Sequence, residues 1–265
     1  EPQLVVTATQ VGERHVQMGR GNEDRCEARV VGDWTVMVVA DGVTNSGDAN
    51  CRPNRAAEVA LGAAIHVIER ELPSRARPGA LNQWWRGVGA LVMGEAARAI
   101  EQLAAPGLGP RVDKTPESTL AMACLGRIET KWTLFWTAVG DSEVALVREG
   151  KLRWVSLQQD VSDRYTRSAT TFALPRHVGQ AKSGIVALDS GDIVFVASDG
   201  CTDAFHEAPE RQVDWLGTGL TSEDERTDAF TQVVGFEMAD SYDDRTIVAA
   251  LVPRPGAHQT PAGGD

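Results

Sequence analysis

The sequence predicts an α+β sandwich, and three observations lead there. Short β-branched and aromatic runs bounded by Gly, Asp or Pro lie toward both ends of the chain. Two long Ala-rich stretches with apolar residues at three- and four-residue spacing follow one another between them. The order of elements is therefore not the strict alternation of a doubly wound parallel sheet. Strand patterns fall at residues 4–8, 35–40, 133–139, 143–147, 184–188, 192–197 and 246–252, each short and rich in residues that suit a pleated surface. Helical spacing covers 55–71 and 81–103, with a third helix predicted at 225–238. Segments 105–116, rich in Pro and Gly, and 156–183, which has no clean periodicity, read as loops.

Composition supports one folded unit. With 265 residues, 42% of them hydrophobic, the chain can bury a substantial core, and two-layer β architectures of this size commonly form a single domain. We expect one domain over 1–252 and an unstructured tail over 253–265, where Pro, Gly, Ala and Thr offer no apolar anchor. Lys plus Arg number 26 against 37 Asp plus Glu, a net charge of −11, so the overall field repels nucleic acid and anionic membrane. Cys26, Cys51, Cys124 and Cys201 are far apart with no CxxC pair. They read as small buried hydrophobes rather than a zinc or redox site. No apolar run approaches the roughly 18–20 residues of a membrane span, and no secretory pattern opens the chain, so the expectation is a cytoplasmic protein.

Four strand ends share one feature. VMVVADG ends on Asp41-Gly42, TLFWTAVGDS on Asp141, and IVFVASDG on Asp199-Gly200, while DDRTIVAALV begins with Asp243-Asp244. Singly, each Asp-Gly is a turn signal, because both residues tolerate the left-handed conformation of a tight hairpin. Together they place carboxylates where buried strands surface, and carboxylates brought together repel unless a cation or a proton joins them. Oxygen donors of this kind suit Mg²⁺, Mn²⁺ or Ca²⁺, whereas zinc calls for His and Cys clusters that this chain lacks. Two such ions can polarise a phosphoryl oxygen and lower the pKa of a shared water, which yields a hydroxide nucleophile near neutral pH.

Six segments in order, GNEDR (21–25), VADG (39–42), ESTLAMACL (117–125), VGDS (139–142), ASDGCTD (197–203) and DDRTIVAAL (243–251), resemble the metal-dependent protein phosphatases, also called the protein phosphatase 2C or PPM family. The spacing from His15 through Gly19 to Asn22-Glu23-Asp24 looks like a bacterial branch of it. The resemblance spans about residues 15–252. It implies two packed antiparallel sheets flanked by helices, a four-layer α-β-β-α sandwich with Mg²⁺ or Mn²⁺ in a cleft at one end. It implies a serine/threonine phosphatase acting on phosphorylated proteins, supplied by a cognate kinase, by attack of a metal-bridging hydroxide without a covalent phosphoenzyme. Asp41 would bridge two ions, the Gly42 carbonyl would hold one, Asp199 and Asp243 would complete the other, and Asp24 would act from outside them. Asp141, Asp199 and Asp203 would form a weaker third site. Ser118-Thr119 matches the family's hydroxyl pair on an inner strand, for packing or for chemistry. The protein would be a monomer.

The chain also departs from that pattern. The phosphate-binding arginine that many relatives place three residues before the Asn is Gly19 here, with Arg20 beside it as the substitute candidate or as a plain surface arginine. His15 is either structural or a participant. Val43 stands where some relatives have a histidine that protonates the leaving group, and Asp244 replaces the commoner Asn, which leaves open whether Asp243 or Asp244 binds metal. These departures keep a second reading in view, a catalytically weak phosphatase-like module that binds a kinase or phosphoprotein.

Overall fold

The computed structural model describes residues 4–43, 53–72, 80–103, 116–156, 171–236 and 242–253. The expectations for the loop at 105–115, for most of the loop after 156, for Cys51 and for the tail from 254 lie outside the described residues. The strands are β1 Val5–Gln10, β2 Arg25–Val31, β3 Trp34–Ala40, β4 Gly42–Val43, β5 Glu117–Ser118, β6 Leu120–Ile128, β7 Lys131–Val139, β8 Glu143–Arg148, β9 Lys151–Trp154, β10 Lys182–Ala187, β11 Ile193–Ala197 and β12 Arg245–Leu251. The helices are α1 Glu13–Gln17, α2 Pro53–Glu71, α3 Leu81–Leu103, α4 Asp199–Glu207, α5 Pro209–Thr221 and α6 Arg226–Gly235.

Two five-stranded antiparallel sheets, ordered β1-β12-β11-β8-β9 and β10-β7-β6-β3-β2, lie face to face. The period-two geometry of a strand explains the near-continuous apolar runs, because each inner strand is buried on both faces. In β3, Val36, Val38 and Ala40 pack with α2 and α3, while Met37 and Val39 point to the other sheet. Between the sheets, Met37, Val39, Ala121, Ala123 and Leu134 meet Val144, Leu146, Val194, Val196 and Val248. On the far side, Phe195 and Ile247 pack against Phe205, Leu216 and Phe230 of α4, α5 and α6. Three apolar interfaces therefore separate four layers, as the resemblance implies.

The helical pairing has a visible cause. The apolar stripes of α2 and α3 bury Ala57, Ala60, Ala64, Ile68, Val88, Val92, Ala96 and Ile100 completely or nearly so, and small residues at the contact let two helices approach a sheet closely. Trp85 is fully buried, sits 5.2 Å from Phe135 between ring centres, and donates its indole N–H to the Trp136 carbonyl at 2.7 Å. Cys124 and Cys201 are buried and Cys26 is half-buried, and burial pushes the Cys26 thiol up to about 11. No described helix is long and apolar enough to cross a membrane.

Candidate metal centre

Strand register brings the acidic segments together. β11 lies between β8 and β12, with Ala197 opposite both Glu143 and Ile247. Asp199, just past the end of β11, therefore emerges beside Asp141, which precedes β8, and beside Asp243, which precedes β12. In the other sheet Ala40 faces Arg25 and Val39 faces Ala121, so Asp41 emerges beside Asp24 on one flank and Thr119 on the other. Both sheets deliver these ends to the same edge of the sandwich.

At that edge, carboxylate oxygens of Asp41, Asp141 and Asp199 all lie within 4.8 Å of one another. Burial lifts the Asp41 carboxyl well above the ordinary range, and the charges of Asp24, Asp199, Asp243 and Asp141 push the same way. Asp199 is raised likewise, by burial first and then by Asp141, Asp243, Asp203 and Asp24. Asp24 is pushed up to about 6 by burial, against hydrogen bonds with Ser198, Thr246 and Asp41 that partly hold it down. Asp243 and Asp203 are thus close enough for their charges to be felt.

Asp243 and Asp244 part ways. Asp243 is exposed, whereas Asp244 is buried and accepts the Gly12 N–H at 2.6 Å and the Glu23 N–H at 2.5 Å, one on each oxygen. Its second oxygen also lies 2.9 Å from His15 Nδ1. Although His15, Asp243 and Asp244 can bring donor atoms within 4.8 Å, each oxygen of Asp244 already accepts one backbone N–H. Arg20 is exposed, and its guanidinium lies 3.6 Å from Glu23 rather than on the carboxylate trio.

Hydroxyls that strand periodicity does not reveal hold these acids in place. Ser118 Oγ donates to the Asp41 carbonyl at 2.8 Å, and the Thr119 N–H donates to the same oxygen at 2.9 Å. Thr119 Oγ1 is 2.7 Å from Ser142 Oγ, which couples the Asp41 turn to the Asp141 turn. Ser198 Oγ donates to Asp24 Oδ2 at 2.7 Å and accepts the Thr246 N–H at 3.0 Å. Thr171 Oγ1 donates to Asp141 Oδ2 at 2.8 Å, so the end of the loop predicted over 156–183 reaches the centre. Leu174 in the same segment exchanges backbone hydrogen bonds with Ser118. Gly42 has no room for a side chain, since a Cβ there would sit 2.4 Å from the Pro53 carbonyl carbon. Serines beside Asp in ASDG and VGDS were the available signal for Ser198 and Ser142; Thr171 carried none.

Fold and site together define an α-β-β-α sandwich with a carboxylate-lined end. A model of the family described as protein phosphatase 2C matches residues 11–239. Its solved structural relatives include the serine/threonine phosphatase Stp1 from Staphylococcus aureus, at 16% identity, with 96% of each chain covered and a TM-score of 0.69. The Mycobacterium tuberculosis serine/threonine phosphatase PstP/Ppp shows 18% identity over 95% of this chain and 99% of that one, with a TM-score of 0.64. The PstP catalytic domain solved with two manganese ions shows 19% identity over 95% and 98%, with a TM-score of 0.62. No curated protein matches the sequence significantly. The chain belongs to the protein phosphatase 2C family, and its class is therefore that of the phosphoprotein phosphatases.

Proposed function

We propose that the chain hydrolyses phosphoserine and phosphothreonine on other proteins, with two Mg²⁺ or Mn²⁺ ions held by the carboxylate cluster. The single observation that carries this reading is the convergence of Asp41, Asp141 and Asp199 to within 4.8 Å, in an environment that penalises the charge of Asp41 and of Asp199. The donor set fits the group: hard oxygen ligands, with no thiol among them. Asp41 and the Gly42 carbonyl would hold one ion, Asp41, Asp199 and Asp243 the other, and Asp141, Asp199 and Asp203 a weaker third. Bound ions supply Lewis acidity toward the phosphoryl group and an activated water.

The chain's own residues position and polarise. Asp24, oriented by Ser198, faces Asp41 and can accept or hand on a proton near neutral pH, since it is raised to about 6. Arg20, the cation just before the first motif, would meet the phosphate after leaving Glu23. Val43 cannot protonate the leaving group, so that proton comes from water or from another group at the site. Substrates would be products of a serine/threonine kinase.

The test is hydrolysis of p-nitrophenyl phosphate and of phosphothreonine and phosphotyrosine peptides, with Mn²⁺ and with EDTA. Metal-dependent turnover that favours phosphothreonine is expected, and equal rates in Mn²⁺ and EDTA would remove the mechanism. Arg20→Ala should raise KM about tenfold or more with a smaller change in kcat, because an arginine on the phosphate contributes mainly binding. The engagement of Arg20 with Glu23 and the absence of a donor at Val43 favour one second reading, a phosphoprotein-binding module of low activity. Tight Mn²⁺ binding and phosphopeptide binding without turnover would select it.

A further inference from the structure

We infer that His15 is a positioning residue for the metal centre, which it serves by fixing the segment that carries Asp243 against the loop that carries Asp24. This rests on the metal-dependent reading above. His15 is 6% exposed although it sits on α1, whose neighbouring residues Arg14, Val16 and Gln17 are exposed. Its Nδ1 lies 2.9 Å from Asp244 Oδ2, and its Nε2 lies 3.6 Å from Glu23 Oε2. The imidazole is thereby wedged between the residue after Asp243 and the residue before Asp24.

The rest of the junction is backbone. Asp244 accepts the N–H groups of Gly12 and Glu23, and Arg14 N–H donates to the Tyr242 carbonyl at 3.2 Å. A Cβ on Gly12 would meet the Asp243 carbonyl carbon at 2.4 Å, so the two segments touch without an intervening side chain. Asp244 in turn donates its own N–H to Asp243 Oδ1 at 2.9 Å, which sets the rotation of that carboxylate. His15 is the buried side chain that fills this junction and touches both Asp244 and Glu23. It groups with Asp243 and Asp244 rather than with Asp41, Asp141 and Asp199, so its effect on an ion is transmitted through the Asp243-Asp244 pair. Partners that orient a ligand in this way typically change metal affinity by about 10–100-fold when removed.

Three variants test this. His15→Asn keeps a polar nitrogen near the place of Nδ1. His15→Gln moves the polar group outward toward Glu23, and His15→Leu removes it. Mn²⁺ affinity is measured by calorimetric titration, the melting temperature in EDTA reports on the fold, and kcat and KM are taken at saturating Mn²⁺. The Gln and Leu variants should bind Mn²⁺ about 10–100-fold more weakly and recover most of kcat when Mn²⁺ is raised, with Asn within about threefold of wild type. If Leu does not fold, the comparison of Gln with Asn decides. Unchanged Mn²⁺ affinity in Gln or Leu, with only a lower melting temperature, would make His15 merely structural and overturn the inference. A wild-type protein that binds no Mn²⁺ would instead remove the metal reading, and the inference with it.

Discussion

Replacing Asp41 by Asn should make the metal-free protein more stable and the enzyme almost inactive, and the size of the first effect can be bounded. With an effective dielectric of about 20, two unit charges 4.8 Å apart repel by about 3.5 kcal/mol. Asp41 faces Asp141 and Asp199 at that separation or less, so ionising Asp41 beside those two charges would cost about 7 kcal/mol or more. The protein can escape by protonating one carboxyl. At pH 8 that costs about 5.5 kcal/mol against an ordinary carboxyl near 3.9, and at pH 5 only about 1.5 kcal/mol. Asp41 is partly exposed, so water screens the site. Half the bound at pH 8, about 3 kcal/mol, is a fair expectation, and it corresponds to a rise in melting temperature of roughly 6–12 °C. At pH 5 the gain should shrink to about 2 °C. The assay is thermal unfolding of both proteins in EDTA at the two pH values, with turnover in Mn²⁺ alongside. Turnover should fall at least ~10²-fold, as when one strong electrostatic stabiliser is removed. A variant no more stable than wild type at pH 8 in EDTA would mean the carboxylates do not strain one another, and the argument for a cation site would fail.

The same groups set the pH dependence of the wild type. Asp24, Asp41 and Asp199 are all raised in the folded state, so above about pH 4 the folded chain binds more protons than the unfolded one and metal-free stability falls as pH rises. Urea midpoints in EDTA should therefore drop from pH 5 to pH 8, and Mn²⁺ should reverse the trend. Ser198→Ala deprives Asp24 and the Thr246 N–H of a partner, which should cost about 1–3 kcal/mol by chemical denaturation. Because that hydroxyl holds the Asp24 carboxyl down, the acidic limb of the rate profile should also move to higher pH. Trp85→Ala empties a fully buried position remote from the acids and should cost about 3–5 kcal/mol, with kcat at low temperature within about twofold of wild type.

Some elements were legible in the sequence because one property dominated them. β3, β7, β11 and β12 are runs with β-branched residues bounded by Gly or Asp, and α2 and α3 repeat their apolar residues at helical spacing. β6 was not among the predicted strands: Leu-Ala-Met-Ala-Cys-Leu-Gly lacks β-branching, and only burial between α2, α3 and the opposite sheet makes it a strand. β2 was also missed, since an edge strand alternating Arg25, Glu27 and Arg29 with Cys26, Ala28 and Val30 carries little apolar signal. Asp199-Gly200 reads as a turn but opens α4, because Ser198 stays extended before it and the chain turns directly into a helix. α5 begins at Pro209, a residue suited to the first turn that also reads as a breaker. The acids themselves were legible as strand ends. Their mutual distances were not, since these depend on the pairing of β11 with two neighbours and on the stacking of the sheets.

That dependence explains why the cluster persists despite its repulsion. A carboxylate on a loose turn would swing outward and relieve the strain at almost no cost. Here the backbone of Asp41 is pinned, because its carbonyl accepts from both Ser118 and Thr119. Asp141 is tied by Thr171, with its turn linked to Thr119 through Ser142. Asp24 is gripped by Ser198, which is itself bonded to β12. Asp199 is set at the first turn of α4, where the helix dipole favours its negative charge. Each restraint comes from a different strand end, so opening the cluster means disturbing both sheets at once. A site held closed against its own charge is organised in advance for a divalent ion, and the stability withheld from the metal-free fold reappears as affinity when the ion binds.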